Sequence, residues 1–122
     1  MSNILVFEEQ FKKQVNDFLL AYGFTQQDQK YIREMVHQEP GQTVIINGMR
    51  QVYPGRQRHL VFNCKLAGKG EVQHSQDNID SFEVVEYIIE VDGEEVGRHC
   101  ECIYYDNISH FKTVTKQIFN LL

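Results

Sequence analysis

Two dipeptides, Asn47-Gly48 and Asp92-Gly93, each separate runs of β-branched or alternating apolar residues. Together they commit the middle of this chain to antiparallel β-structure. A two-residue hairpin turn of type I′ needs positive φ at both central positions, which Asn, Asp and Gly tolerate best. Around the first dipeptide, residues 43–46 form a β-branched run and 49–53 the returning strand, closed by the turn signal Pro54-Gly55. Around the second, Val85, Tyr87, Ile89 and Val91 mark one face of a strand over 82–91, with Phe82, Val84 and Ile88 on the other. Apolar residues on both faces predict a central strand, covered at least in part on each side. Its partner runs over about 95–105. Another strand is expected over about 57–66, breaking at Ala67-Gly68-Lys69-Gly70. The polar residues 73–81 read as an exposed loop.

The period returns to helical at both ends. Phe7, Phe11, Val15, Phe18 and Tyr22 recur at steps of three and four, with Leu19 widening the stripe. Ser2 or Asn3 serves as its cap, and Glu8 and Glu9 lie early, where the dipole favours anions. Gly23 ends this helix, and Phe24 packs back on its last turn. A second helix is expected from Thr25 as N-cap, with Asp28 in a capping-box-like place. Tyr31, Ile32, Met35 and Val36 form its buried side, and Pro40-Gly41 stops it. A closing helix capped by Asp106 carries Ile108, Phe111, Thr115, Ile118 and Leu122 on one stripe. The expected fold is α+β: two N-terminal helices, an antiparallel meander of about five strands, and a C-terminal helix packed on the sheet. Residues 1–122 make a single domain, with the helices on one face and the other face solvated or used for docking.

Composition bounds the function. At 122 residues, 42% hydrophobic and 24% charged, the chain is long enough to bury a core without staples. No apolar run approaches the ~20 residues that span a bilayer. The short run from Ile4 to Phe7 meets Glu8 and Glu9 with no basic region before it, so it does not read as a signal peptide. Three cysteines, Cys64, Cys100 and Cys102, are an odd number, and the simpler expectation is a reducing, cytoplasmic setting without a disulfide framework. A net charge of −5 disfavours nucleic acid as a partner. The charge is also split. Residues 50–69 hold five basic side chains (Arg50, Arg56, Arg58, Lys65, Lys69) and no acidic one, whereas 71–95 hold nine acidic side chains and no Lys or Arg. Either the two stretches pair across the sheet, or they form a charged surface that steers a partner.

The motifs that could carry chemistry are weak. His99-Cys100-Glu101-Cys102 puts two thiols on one face of a strand, with Cys64 a conceivable third ligand. Alternation sends His99 to the other face, and structural zinc sites space their cysteines more widely. The two cysteines are therefore expected to be small hydrophobes facing the helices, with no metal and no cofactor. Five histidines form no recognisable acid–base set, so no catalytic residue is assigned. Gly68-Lys69-Gly70 lacks the rest of a P-loop. Arg50, Arg56 and Arg58 flank Tyr53 and could stack on or clamp a phosphate-bearing ligand, or be solvated strand and hairpin residues.

These features favour binding over catalysis. The leading expectation is a small acidic protein-binding module, of inhibitor, immunity or antitoxin type, that occludes a protein partner. Its contact residues would be Asp92, Glu94, Glu95 and Glu90 at one hairpin, with Arg50, Tyr53, Arg56 and Arg58. One alternative is a cone-like α+β domain holding a small ligand, with His59, His99 and Glu101 lining the pocket. Another is a structural subunit of a larger or homomeric assembly, including a homodimer through the sheet.

Overall fold

The computed structural model describes residues 3–119, with side chains from Phe7 onward. Along the chain lie α1 (Asn3–Ala21), β1 (Thr25–Gln27), β2 (Lys30–Gln38), β3 (Gln42–Ile46), β4 (Met49–Tyr53), β5 (Gln57–Ser75), β6 (Asn78–Val91), β7 (Glu94–Tyr104) and α2 (Ile108–Phe119). Five strands form an antiparallel sheet in the order β1-β2-β5-β6-β7, and β3 pairs only with β4 in a separate two-stranded ribbon. The expected α+β class and antiparallel meander are present. The second N-terminal helix is not.

Residues 25–38 form the β1–β2 hairpin instead, turning at Asp28 with φ of 57°. The steps of four that link Tyr31 to Met35 and Ile32 to Val36 fit a period of two as well as one of 3.6, so the pattern could not separate them. A helix would have gathered all four on one side. In the strand, Tyr31 is 4% exposed while Val36, on the opposite face, is 64% exposed. Long-range pairing decides the outcome: β2 zips onto β5 over nine residues, with Tyr31 opposite Cys64 and Met35 opposite Leu60.

β5 also runs past its expected end. A register shift between Leu66 and Gly68 absorbs the glycine-rich tract as a β-bulge, and pairing continues to Ser75 opposite Asn78. The expected loop over 73–81 is therefore the end of a long hairpin that turns at Gln76-Asp77. β6 holds the interior position predicted for it, between β5 and β7.

Helices cover one face of the sheet. Phe11, Val15 and Leu19 of α1, with Phe111 and Phe119 of α2, close over Phe62, Cys64, Val85, Tyr87 and Ile103, all essentially buried. Phe11 meets Tyr105 and Phe111, and Phe119 meets Phe24, Phe62 and Tyr87. Phe7 stays half exposed at the margin of the stripe. At the end of α1 the Phe24 N–H donates to the Leu19 carbonyl at 2.9 Å, and Phe24 is buried as expected. The expected caps at Ser2 or Asn3, and Leu122, lie outside the described side chains. α2 is capped by Asn107 rather than Asp106: its Oδ1 accepts the His110 N–H at 3.2 Å.

The second face of the sheet carries no helix. Phe82, Val84 and Ile88 lie there half-buried, with Tyr104 beside Phe82, so β6 is fully covered on one face and partly covered on the other.

Candidate interaction surface

β3 and β4 form an arm whose ten strand residues are all exposed. Six of them are large and apolar: Val44, Ile45, Ile46, Met49, Val52 and Tyr53, with Ile45 at 72%, Val52 at 67% and Met49 at 64% exposure. The local chemistry explains why the arm stands apart. β2 and β5 pair out to Gln38 opposite Gln57, and the Glu39 N–H still reaches the Arg56 carbonyl at 3.0 Å. Beyond that point Pro40 and Pro54 have no N–H to offer a ladder. A Cβ at Gly55 would overlap the Glu39 carbonyl, so only glycine lets the two chains cross this closely. Pairing resumes at Gln42 opposite Tyr53 and closes at Asn47-Gly48, with φ of 52° and 76° as that turn requires. Between Gly41 and Gly55 the only charged residue is Arg50. An isolated two-stranded ribbon is marginal in water, and this one presents apolar side chains on both of its faces.

The arm's root adjoins the second hairpin turn. Asp92 accepts the His59 N–H at 2.9 Å and one Arg58 guanidinium nitrogen at 2.9 Å, while the Arg58 Nε reaches Glu39 at 2.8 Å. The His59 amide first, and Arg58 second, hold the Asp92 carboxyl below its ordinary value. Arg98 in turn bonds Glu86 at 3.0 Å and Glu95 at 2.6 Å. Thus the structure places Arg56, Arg58, Asp92, Glu94 and Glu95 at one end of the sheet, with Arg50 and Tyr53 on the arm that leaves it. Arg50, Arg56, Glu90 and Glu94 have no ion pair among the described residues.

On the uncovered face, ladder partners align into cross-strand rows. One row runs Glu34, Val61, Glu90, Glu95, and the next Ile32, Asn63, Ile88, Arg98. Glu90 and Glu95 stand directly opposite each other, an arrangement of like charges that costs stability.

The three pocket candidates do not converge. His99 and Glu101 lie on the helix-covered face, in a cleft of about 620 Å³ between β7 and α2 that Ile89, Val114 and Ile118 also line. There the Glu101 carboxylate bridges His99 Nε2 at 2.7 Å and His110 Nε2 at 3.1 Å, and these contacts lower its pKa, His99 contributing most. His59 is on the opposite face, 3.6 Å from Glu34. His110 was not singled out in the sequence; its place three residues after Asn107, on the first turn of α2, was the available signal. Cys100 and Cys102 are exposed on the uncovered face, not turned to the helices. Cys64 is buried on the other face, where burial pushes its thiol up to about 12. The three thiols cannot meet at one ion, and no cluster of three metal-ligating side chains occurs among the described residues.

A second cleft, about 680 Å³, opens between α1 and the β5 bulge. At its edge Glu83, 4% exposed, accepts the Tyr105 hydroxyl at 2.8 Å, and burial raises its pKa. Glu8 binds Lys12 at 3.0 Å and Lys69 at 3.2 Å. Glu83 shares a strand face with Val85 and Tyr87, which is the sequence signal that could have found it.

No helix among the described residues is long and apolar enough to cross a membrane. Comparison with protein-family models, with curated proteins and with solved structures finds no match.

Proposed function

We propose that this chain is a protein-binding module that grips its partner with the β3–β4 arm. The observation that carries this reading is the concentration of exposed apolar side chains on a ribbon with no domain surface beneath it. Fully burying a Val, Ile, Met or Tyr side chain contributes roughly 1.5–3 kcal/mol. The exposed fractions of the six arm residues add up to slightly more than three whole side chains. Covering the arm would therefore release ~5–10 kcal/mol before the costs of association. An inhibitor- or immunity-type protein would use this grip to occlude another protein, and a homomeric subunit would use it to join copies. Both forms share the arm, and neither requires a reaction.

The test places a photo-crosslinking residue at Ile45 in cells, with Lys13 on α1 as the control position. The expected result is a protein adduct at position 45 and none at position 13. Absence of any protein adduct at position 45 would overturn the reading.

A further inference from the structure

Resting on that reading, we propose that the arm's partner is a second copy of this chain, and that the two copies exchange arms, each ribbon lying on the uncovered sheet face of the other. The occupant is argued from charge and shape. The arm is apolar with one cation, Arg50, which projects from the same ribbon face as Thr43, Ile45 and Val52 because Ile45 pairs with Arg50 and Thr43 with Val52. The uncovered sheet face offers the complementary pattern. The exposed Val36 and the half-buried Val61 and Ile88 supply apolar surface, and Glu34 and Glu90, in the same row as Val61, supply carboxylates. That row holds no lysine or arginine, and Glu34 has only His59 beside it at 3.6 Å.

Glu90, opposed to Glu95, is in an unfavourable like-charge pair that Arg98 relieves only at Glu95. A guanidinium arriving from outside relieves it at Glu90. The arm's five-residue strands extend ~17 Å at about 3.3 Å per residue, enough to cross three strands spaced ~4.8 Å apart. Each copy has one arm and one such face, and when two copies make both contacts reciprocally the pair closes as a two-fold dimer.

The pairing makes a charge-swap test available. Light scattering and sedimentation across micromolar to millimolar concentrations should show a dimer for the unaltered chain. Arg50→Glu alone sets a carboxylate against Glu34 and Glu90, and Glu90→Lys alone sets an ammonium against Arg50. Each should weaken dimerisation at least about tenfold. Mixing the two variants should restore it, because in the mixed dimer one contact pairs Glu with Lys and the other keeps Arg with Glu. Circular dichroism and melting of each variant separate loss of association from loss of fold, and the rescue on mixing cannot arise from misfolding.

Three results would overturn the arm exchange. The first is dimerisation unaffected by Arg50→Glu, which would place the contact elsewhere. The second is single variants that dissociate without rescue on mixing. The third is a monomeric unaltered chain whose crosslinker at Ile45 captures a different protein, which would leave the binding function standing. A monomer with no adduct at position 45 would end both readings.

Discussion

If the arm belongs to binding and not to folding, it can be cut out without loss of stability. Glu39 and Arg56 already exchange a backbone hydrogen bond at 3.0 Å, so residues 40–55, sixteen in all, can be replaced by Asn-Gly in a two-residue turn. Besides the Tyr53–Gln51 bond inside the arm, the excision removes one exposed side-chain bond, from Gln38 Nε2 to the Gly55 carbonyl, and it keeps the Arg58 bridge between Glu39 and Asp92 and every core residue. Shortening the connection eightfold lowers the closure cost by (3/2)RT ln 8, or ~2 kcal/mol. With about 4 °C per kcal/mol for a domain of this size, Tm should stay level or rise by up to ~8 °C. The reference is the Ile45→Lys, Val52→Lys chain, which keeps the arm but not its grip, so association does not enter the comparison. Melts followed by circular dichroism at several concentrations give the answer. A fall in Tm of more than ~4 °C against that reference would show that the arm is part of the folding unit and would refute the reasoning.

Other contacts make independent predictions. Thr115→Val leaves the buried Tyr87 hydroxyl without the partner it now has at 2.8 Å and should cost ~1–3 kcal/mol in a denaturant titration; an unchanged midpoint refutes it. Burial raises the folded-state pKa of Glu83, so its contribution to stability is complete below the ordinary carboxylate value and is lost as pH rises through the folded value. Glu83→Gln should therefore gain on the unaltered chain between pH 4 and pH 8, and a difference in Tm that does not change with pH would be the contrary result. Glu86→Lys breaks the 3.0 Å bond with Arg98 and sets an ammonium opposite Lys65, and should lower Tm modestly at low salt, while Glu94→Lys, with no ion pair among the described residues, should leave it unchanged. Equal effects of the two reversals would disprove that assignment.

Local chemistry was legible in the sequence, and long-range pairing was not. Asn47-Gly48 and Asp92-Gly93 were readable because the turn they make depends on their own φ angles. The end of α1 at Gly23-Phe24 and the interior place of β6 were readable for similar reasons, a local cap and an unbroken apolar alternation. Residues 25–38 were misread because their steps of four fit both periods, and the deciding partner, β5, lies some thirty positions away. The Gly68 tract and the polar stretch after it looked like a loop because a bulge and an exposed hairpin end need few apolar residues. The cysteine faces were misassigned because alternation fixes which residues share a side, but not which side the helices take. The arm was visible as a hairpin; its separation from the sheet was not, since Pro40, Pro54 and Gly55 act only once β2 and β5 are paired.

The uneven charge distribution along the chain has two physical outcomes in the fold. Part of it is spent internally: Arg58 on Asp92, Lys69 on Glu8, and Arg98, from outside both stretches, on Glu86 and Glu95. Such exposed pairs contribute little to stability and orient the hairpin ends more than they hold them. The remainder meets no permanent counter-charge among the described residues, Glu34 having only His59 at 3.6 Å. Arg50 rides on an apolar ribbon with no carboxylate between Gly41 and Gly55, and Glu34 and Glu90 lie in a row that brings no lysine or arginine of its own. Cation and anions are thus on separate bodies, each bordered by exposed apolar residues. At ~0.15 M salt, charges separated by more than about 8 Å are largely screened. The carboxylate row therefore feels a guanidinium strongly only when an arm lies upon it, and apolar burial must bring the arm there first. Apolar contact then supplies the affinity and the Arg50–Glu90 pairing the register, which is why the charge-swapped chains are expected to find each other and not themselves.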